Sequence, residues 1–530
     1  MQHIAEYHER TKHQPHKYAN GPGFMDWRNQ PNPFRFYPGA DAIALNLLDR
    51  PIELRYDQLF EPRSREPATP DASSIAGFLE LALGLSARKK YGDSEWFLRI
   101  NPSSGNLHPT ECYLLLSDCG EVPACIAHYN PLLHILEVRS GLGRRAAAGL
   151  AGMNGFAVIL SSIFWREAWK YGERAFRYTQ HDIGHALAAL RFSATLFGWS
   201  FHIRPEVPSD CLDALLGFVE CVQPWEEERA DCLCWVQTGA VTDSPDLTAW
   251  LNGLDSPDFA NQANQLSPSH VDWPIIGQAV QATLSPGYSA APLITGKSIR
   301  HRLSIHSAES LVRRRRSAQS FDAGHSHVSL TGLRQMLAAT LPAAGAPFET
   351  LGTETNIHLI LFIHRVDDLQ PGLYCLVRDG SDPLNLRTCM QRDFHWFPVD
   401  HELPLYLLRA GDYRAIAEHI SCHQSIAGDS AFSLGMLARF DALVAARPWM
   451  YPRLFWEAGF IGQILYLEAE EQGLRGTGIG CYFDDVMHRL LGLRDQYWQD
   501  LYHFTVGAPL EDTRIQTEPP YSHLELIRER

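Results

Sequence analysis

The sequence predicts an α+β protein made of two copies of one domain, closed on each other as a pseudo-dimer within a single chain. Three observations carry this. The segment HDIGHALAALRFSATLFGW, from His181, returns as WEAGFIGQILYLEAEEQGL, from Trp456, at the constant offset that carries Gly184 onto Gly459. Along that offset, without a gap, Leu190 meets Leu465, Ala194 meets Ala469, Gly198 meets Gly473 and Asp210 meets Asp485. The cluster Leu215, Leu216, Gly217 then meets Leu490, Leu491, Gly492. Second, helical and strand-like periods are intermixed, without the βα alternation of a doubly wound parallel sheet. Third, 530 residues exceed one ordinary core, which gives two domains of roughly 200–250 residues.

Taken in order, the start MQHIAEYHERTKHQPHKYANG reads as an exposed, histidine-rich arm, since Pro15 interrupts the only pair sharing a helical face, His13 and His16. It has no apolar core of the secretory type, and no apolar run in the chain is long enough to cross a bilayer, so a cytoplasmic, non-membrane protein is expected. Residues 111–117, ECYLLLS, and 358–364, HLILFIH, read as strands. AHYNPLLHILE, from Ala127, and GLYCLVRDGSDPLNLR, from Gly372, each read as strand, turn, strand. In the second repeated helix Leu454, Ala458, Ile461 and Leu465 share one face, and Gly459 and Gly462 admit a close neighbour. Each copy closes with a matching segment, VQTGAVTD at 236 and FTVGAPLE at 504. The expected division is a first domain over 1–252, a polar, Pro-containing linker over 253–275 and a second domain over 276–530.

A formal charge of −15 argues against general nucleic-acid affinity. The eleven cysteines are scattered; Cys232 and Cys234 are too close for a zinc-type pair and no second pair completes a ligand set, so reduced thiols and no metal are expected.

Two stretches ask for a ligand. RINPSSGNLHPTE, from Arg99, sets two hydroxyls, an amide and a glycine in one loop, which suits either close contact with a flat polar ligand or an ordinary turn. RRRRSAQSF, from Arg313, follows the helix-like SIHSAESLV; the run reads as a solvated face, a nucleic-acid patch or a phosphate clamp. Neither stretch is duplicated. The first copy carries one and the second copy the other, as one surviving site across a pseudo-dimer seam would require.

These residues resemble the FMN-dependent nitroreductase superfamily, and within it the SagB/ThcOx-type dehydrogenase branch, which includes azoline dehydrogenases of peptide natural-product biosynthesis. RINPSSGNLHPTE resembles the branch's Arg-led flavin loop, RRSAQSF the phosphate segment, EAGFIGQILYLEAEEQGLRGTGIGCYFDD the helix and flavin-facing turn, and VGAPLEDTR the closing strand. The resemblance implies that Arg315, Arg316 and Ser317 bind the phosphate and ribityl chain of one FMN, with Arg514 closing from the C-terminal side. It implies that Arg99, Pro102, Ser103, Ser104 and Asn106 hold the flavin from the partner domain, with Gly478, Ile479, Gly480 and Cys481 along the ring. Gln319 stands where the pattern usually has an arginine, which shifts phosphate neutralisation onto the others. WKYGERAFRYTQHDIGHAL, from Trp169, resembles a second signature of the branch and implies catalytic roles for Lys170 and Tyr171; read alone, the pair also fits a salt bridge to Glu173 and a core tyrosine.

The expectation is a two-electron dehydrogenase of an azoline, modified amino acid or peptide intermediate, with a small-molecule or peptide substrate and a biosynthetic partner protein. An NAD(P)H-dependent nitro, quinone or ene reductase and a flavin-free scaffold are the alternatives.

Overall fold

The computed structural model describes residues 2–61, 65–218, 224–239, 246–255, 257–259, 261–290, 303–343, 347–381 and 383–524. Two seven-stranded sheets have the same strand order. In the first it runs Asp41–Ala44, Ile135–Gly141, Cys125–Asn130, Thr110–Leu116, Gly155–Ile163, Glu228–Gln237, Ser200–Ile203. In the second it runs Phe397–Pro398, Leu405–Ala410, Gly372–Leu376, Ile357–Ile363, Phe432–Arg439, Trp498–Gly507, Arg475–Ile479. Neighbours within both sheets are antiparallel. Duplication and the α+β class are therefore facts of the topology.

The repeated segments are the helices Ala175–Leu196 and Met450–Glu471, each 22 residues long. They pack on each other where the offset matched them. A Cβ on Gly184 would stand 2.3 Å from Trp456 O, and a Cβ on Gly459 would stand 2.1 Å from His181 O. Each glycine thus meets the residue three before its own counterpart, which is a two-fold relation written in backbone contacts. No side chain fits there, so the helices touch main chain to main chain. The next element repeats as closely: the short helices Ser209–Leu216 and Asp484–Leu491 each end on a left-handed glycine, Gly217 (φ 73°) and Gly492 (φ 80°).

Two expectations are corrected. The N-terminal arm is exposed only in part: residues 15–18 are exposed, whereas Gln2–Arg10 is a helix whose His8 is buried, within 3.2 Å of Tyr451 Oη and 3.1 Å of Gln499 Oε1 in the second copy. Burial, the largest cause, holds its imidazole well below the ordinary histidine value, so it packs as a neutral ring. Beyond it the His13 amide donates to Asp484 at 3.0 Å. The second correction concerns 372–387. The strand Gly372–Leu376 is followed by a helix, Leu384–Cys389, preceded by Pro383 with φ of −61°. Proline's fixed φ suits a helix start, and the sheet position beside Gly372–Leu376 is taken by Leu405–Ala410 instead.

The copies exchange their ends. While the N-terminal helix reaches the second copy through His8 and holds Glu173 of the first through Tyr7 and Arg10, the strand Gln516–Glu518 pairs antiparallel with Leu85–Tyr91 of the first. Described residues of the segment expected as a linker lie along the first copy, with Asn264 N donating to Phe36 O and Leu266 N to Glu226. Among the described residues no helix is long and apolar enough to cross a membrane.

Candidate functional site

The loop after the strand Ser94–Arg99 is pinned from both copies. Arg99 is buried; it donates to Thr110 O (3.3 Å) and Pro33 O (3.1 Å), closing the loop's two ends on each other. Burial lowers its guanidinium to about 10. Pro102 is half-buried at the head of the loop. Ser103 Oγ accepts from His108 N (2.8 Å), Ser104 N donates to the Asp182 carboxylate (3.2 Å), and Asn106 Nδ2 donates to Phe97 O (3.0 Å). His108 therefore supports the turn. Gly105 has φ of 61°, and a Cβ on it would lie 2.7 Å from Tyr171 Oη and 3.0 Å from Lys170 Nζ. Glycine is needed twice there, for the left-handed backbone and for the close approach of the Lys-Tyr pair.

From the second copy Arg315 reaches the same loop. Its Nε donates to Ile100 O at 2.9 Å and its Nη2 to Arg99 O at 3.0 Å, while Nη1 is buried without a partner. The four arginines have divided. Arg313 pairs with Glu80 and Glu309 at 2.7 Å each, and Arg314 with Glu470 at 3.0 Å. The Arg316 guanidinium donates to carbonyls, those of Arg313 (2.8 Å) and Arg315 (2.6 Å) among them, while its amide donates to Glu470 at 3.3 Å. Burial first, then the like charges of Arg315 and Arg475, bring Arg316 down to about 10. Lys89 is lowered as well, by burial and by the charges of Arg316 and Arg475. Positive charge is crowded here beyond what Glu470 and Glu511 balance.

Ser317 Oγ lies 2.8 Å from Tyr466 Oη, which also accepts from Gly478 N at 3.0 Å. This tyrosine ties the arginine segment to the glycine turn. Ile479 is buried in its strand; Gly480 O accepts from Arg174 Nη2 (3.1 Å) and Cys481 O from Gln424 Nε2 (3.1 Å). Gly480 lies flat against Tyr178, where a Cβ would be 2.0 Å from Cε1, and the Tyr178 ring lies 4.4 Å from that of Tyr171. A continuous wall therefore runs from Arg316 through Tyr466 and the turn to Tyr171, Lys170 and Gly105. Gln319 is exposed. Arg514 is exposed too, paired with Asp512 at 2.7 Å beside the Tyr91 ring.

Beneath Lys170 lies a pair of carboxyls. Glu167, on the same helix Phe164–Tyr171, is fully buried with both carboxyl oxygens unpartnered. Burial, then the nearby Asp182 charge, raises it well above the ordinary carboxylate range. Burial raises Asp182 to about 7, against the hydrogen bonds from Ser103 and Ser104. Glu173, where the sequence left a salt bridge open for Lys170, takes Arg10 (2.8 Å) and Asn20 (3.2 Å) instead. Tyr466, Tyr178, Glu167, Arg174 and Lys89 were absent from the sequence-based set. Tyr466 and Tyr178 had a signal, since the offset sets Arg191 and Arg453 at their places in the other copy.

No family model matches the chain. A structure of a protein from Anabaena variabilis, provisionally described as a nitroreductase, superposes with a TM-score of 0.69 over 96% of this chain and 99% of that one, at 20% identity. The fold is that of the nitroreductases. A curated relative, the trifolitoxin-processing protein TfxB of Rhizobium leguminosarum bv. trifolii, is 29% identical over 142 residues, which is 24% of this chain and 37% of that protein. The match thus spans little more than a third of the relative's length. The Escherichia coli microcin synthetase McbBCD complex with truncated pro-MccB17 bound gives 16% identity over 42% of this chain and 79% of that one, with a TM-score of 0.28.

Proposed function

We propose that the chain is an FMN-dependent oxidoreductase holding one flavin between its two copies, and that it dehydrogenates an azoline or related intermediate in a peptide natural product. One observation carries this reading: Arg315 of the second copy and Lys170 and Tyr171 of the first converge on a single loop, 99–106. The similarity to a trifolitoxin-processing protein supports a peptide substrate and a setting among biosynthetic partners.

The residues present fit FMN at its phosphate end. A buried Arg315 Nη1 without a partner, beside Arg316, Lys89 and the ion-paired Arg475, is a donor set for a dianion. Arg315, Arg316 and Ser317 would hold the phosphate side; Ser103, Ser104, Asn106 and the turn Gly478–Cys481 would flank the ring. Bound there, the flavin supplies hydride chemistry.

The chain supplies the rest. Aromatising an azoline releases a proton as well as a hydride, and Lys170 Nζ takes that proton, with Tyr171 Oη orienting the substrate beside Gly105. Burial raises the Glu167 carboxyl well above the ordinary range, which favours its neutral form over a fixed ion pair with Lys170. Asp182, raised by burial to about 7, is part ionised at neutral pH, and its carboxylate offsets the charge that Lys170 gains. Arg174 fixes the Gly480 carbonyl and with it the direction of the turn.

The visible spectrum of the purified protein, followed by FMN titration, tests the cofactor; a colourless protein that ignores FMN overturns the proposal in favour of a scaffold. Anaerobic mixing with NADPH tests the direction of electron flow. Rapid bleaching by NADPH would replace the dehydrogenase by a reductase on the same site.

A further inference from the structure

Cys481 ends the glycine turn, and a second thiol meets it from a segment far away in sequence. Residues 420–424 run alongside 481–483. The Phe483 amide donates to Ile420 O at 2.7 Å, and Gln424 Nε2 donates to Cys481 O at 3.1 Å and to Ser421 O at 2.8 Å. Between these ties Cys422 and Cys481 face each other with their thiols hydrogen-bonded. Cys422 and its neighbour His423 both hold left-handed backbone, at φ of 54° and 59°, so the segment is bent to bring this thiol inward.

The pair is accessible. Both cysteines are half-buried, and Tyr18, 48% exposed, hydrogen-bonds Cys422 at the rim. Cys232 and Cys234 also touch, but both are buried within the first sheet. The environment also separates the two thiols. Cys422 donates its hydrogen bond, which with burial holds its own proton more tightly. Receiving that bond lowers Cys481 below the ordinary thiol value, and the Arg174 guanidinium acts in the same direction. Arg174 Nη2, 3.1 Å from the carbonyl of Gly480, sets a guanidinium beside Cys481, which marks that thiol as the attacking one and Cys422 as the one that resolves.

We propose that Cys422 and Cys481 form a redox-active dithiol that exchanges with a low-molecular-weight disulfide. The Cys481 thiolate attacks one sulfur of the disulfide, forming a mixed disulfide and expelling one thiolate, which takes up the proton Cys481 lost. Cys422 then gives up its proton and attacks Cys481 Sγ, displacing the second thiolate, which that proton neutralises. Two protein thiols are oxidised to one disulfide, and the small disulfide is reduced to two thiols. The new bond fastens 420–424 to the turn Gly478–Cys481, whose Gly480 lies against Tyr178. Nothing in this step uses a flavin, so it stands or falls apart from the cofactor.

The test incubates the full chain with glutathione disulfide, digests it without reduction and maps the peptides by mass spectrometry. The expected product is a Cys422–Cys481 cross-link, reversed by dithiothreitol. Cys422→Ser is expected to stop at a glutathione adduct on Cys481, and Cys481→Ser to give neither adduct nor link at this site. Glutathionylation of the exposed Cys211 with no Cys422–Cys481 link in the unmodified protein overturns the proposal. That control needs no variant to fold.

Discussion

Asp182 and Glu457 occupy equivalent places on the two central helices, and each accepts a backbone amide from the loop of its own copy, Ser104 N at 3.2 Å and Asn356 N at 3.0 Å. There the likeness ends. Glu457 is also paired with the buried Arg378 at 2.7 Å, and Arg378 donates further to Thr340 O and Ile357 O. Asp182 has no such cation; its neighbour is the equally unpaired Glu167. The same contrast runs through both surroundings. Where one side has Tyr466, Tyr178, Lys170 and Tyr171, the other has Arg191 ion-paired with Glu349 (3.6 Å), Arg453 bonded to Tyr288 Oη (2.9 Å), and Ala445 and Ala446. Tyr288 is itself anchored by its amide on Pro205 O at 2.9 Å. One seam position is filled and neutralised by the chain's own residues, while its twin keeps Asp182 on hydrogen bonds from Ser103 and Ser104 alone and the Glu167 carboxyl oxygens unpartnered. A protein keeps such groups where they have chemistry to do.

The contrast can be broken in order of size. Glu457→Gln strands the Arg378 guanidinium and is expected to cost about 3–5 kcal/mol, read from chemical denaturation. A loss below about 1 kcal/mol would make the two carboxyls alike and remove the distinction. Gly184→Ala attacks what the copies share, since a methyl group would enter the Trp456 carbonyl; about 3 kcal/mol of destabilisation is expected in the same assay. Lys170→Ala is expected to leave FMN affinity unchanged and slow single-turnover flavin bleaching by at least about 100-fold; normal bleaching with flavin bound removes Lys170 from the mechanism.

Asp182→Asn is the mildest, within about 1 kcal/mol at neutral pH, because no buried cation is stranded. Its effect is on pH dependence. Folded Asp182 holds its proton to about 7, whereas an unfolded aspartate releases it near pH ~4. The native state binds the extra proton in that window, so this group's contribution falls as pH rises from about 4 to 7. The variant should flatten that part of the melting-temperature profile, leaving the part due to Asp231, which burial also raises to about 7. An unchanged profile would place the Asp182 proton elsewhere.

Much of this was legible in the residues. The offset that matched Gly184 to Gly459 anticipated the pair of glycines at the centre of the molecule, because close helix packing demands the smallest residue at both symmetric positions. The loop 99–106 and the arginine segment were readable as complementary halves because each had lost its duplicate. Illegible were groups whose meaning depends on what is missing around them. Glu167 looks in sequence like any helix glutamate beside a lysine; only burial shows that it has no partner. His8 and His13 looked exposed because Pro15 and the charged residues around them leave no sustained apolar run, and the pocket that receives them is built by Tyr451, Gln499 and Asp484.

The crossed ends carry a mechanical consequence. The N-terminal helix straddles both copies, bonding Glu173 of the first as well as Tyr451 and Gln499 of the second, and the last strand is laced onto the hairpin of the first. Severing the connection between the copies would therefore not release two independent proteins; each fragment would keep a grip on the other. Neither half, made alone, would find cover for its own 22-residue helix, so the unit that folds, ages and is degraded is the whole clasp.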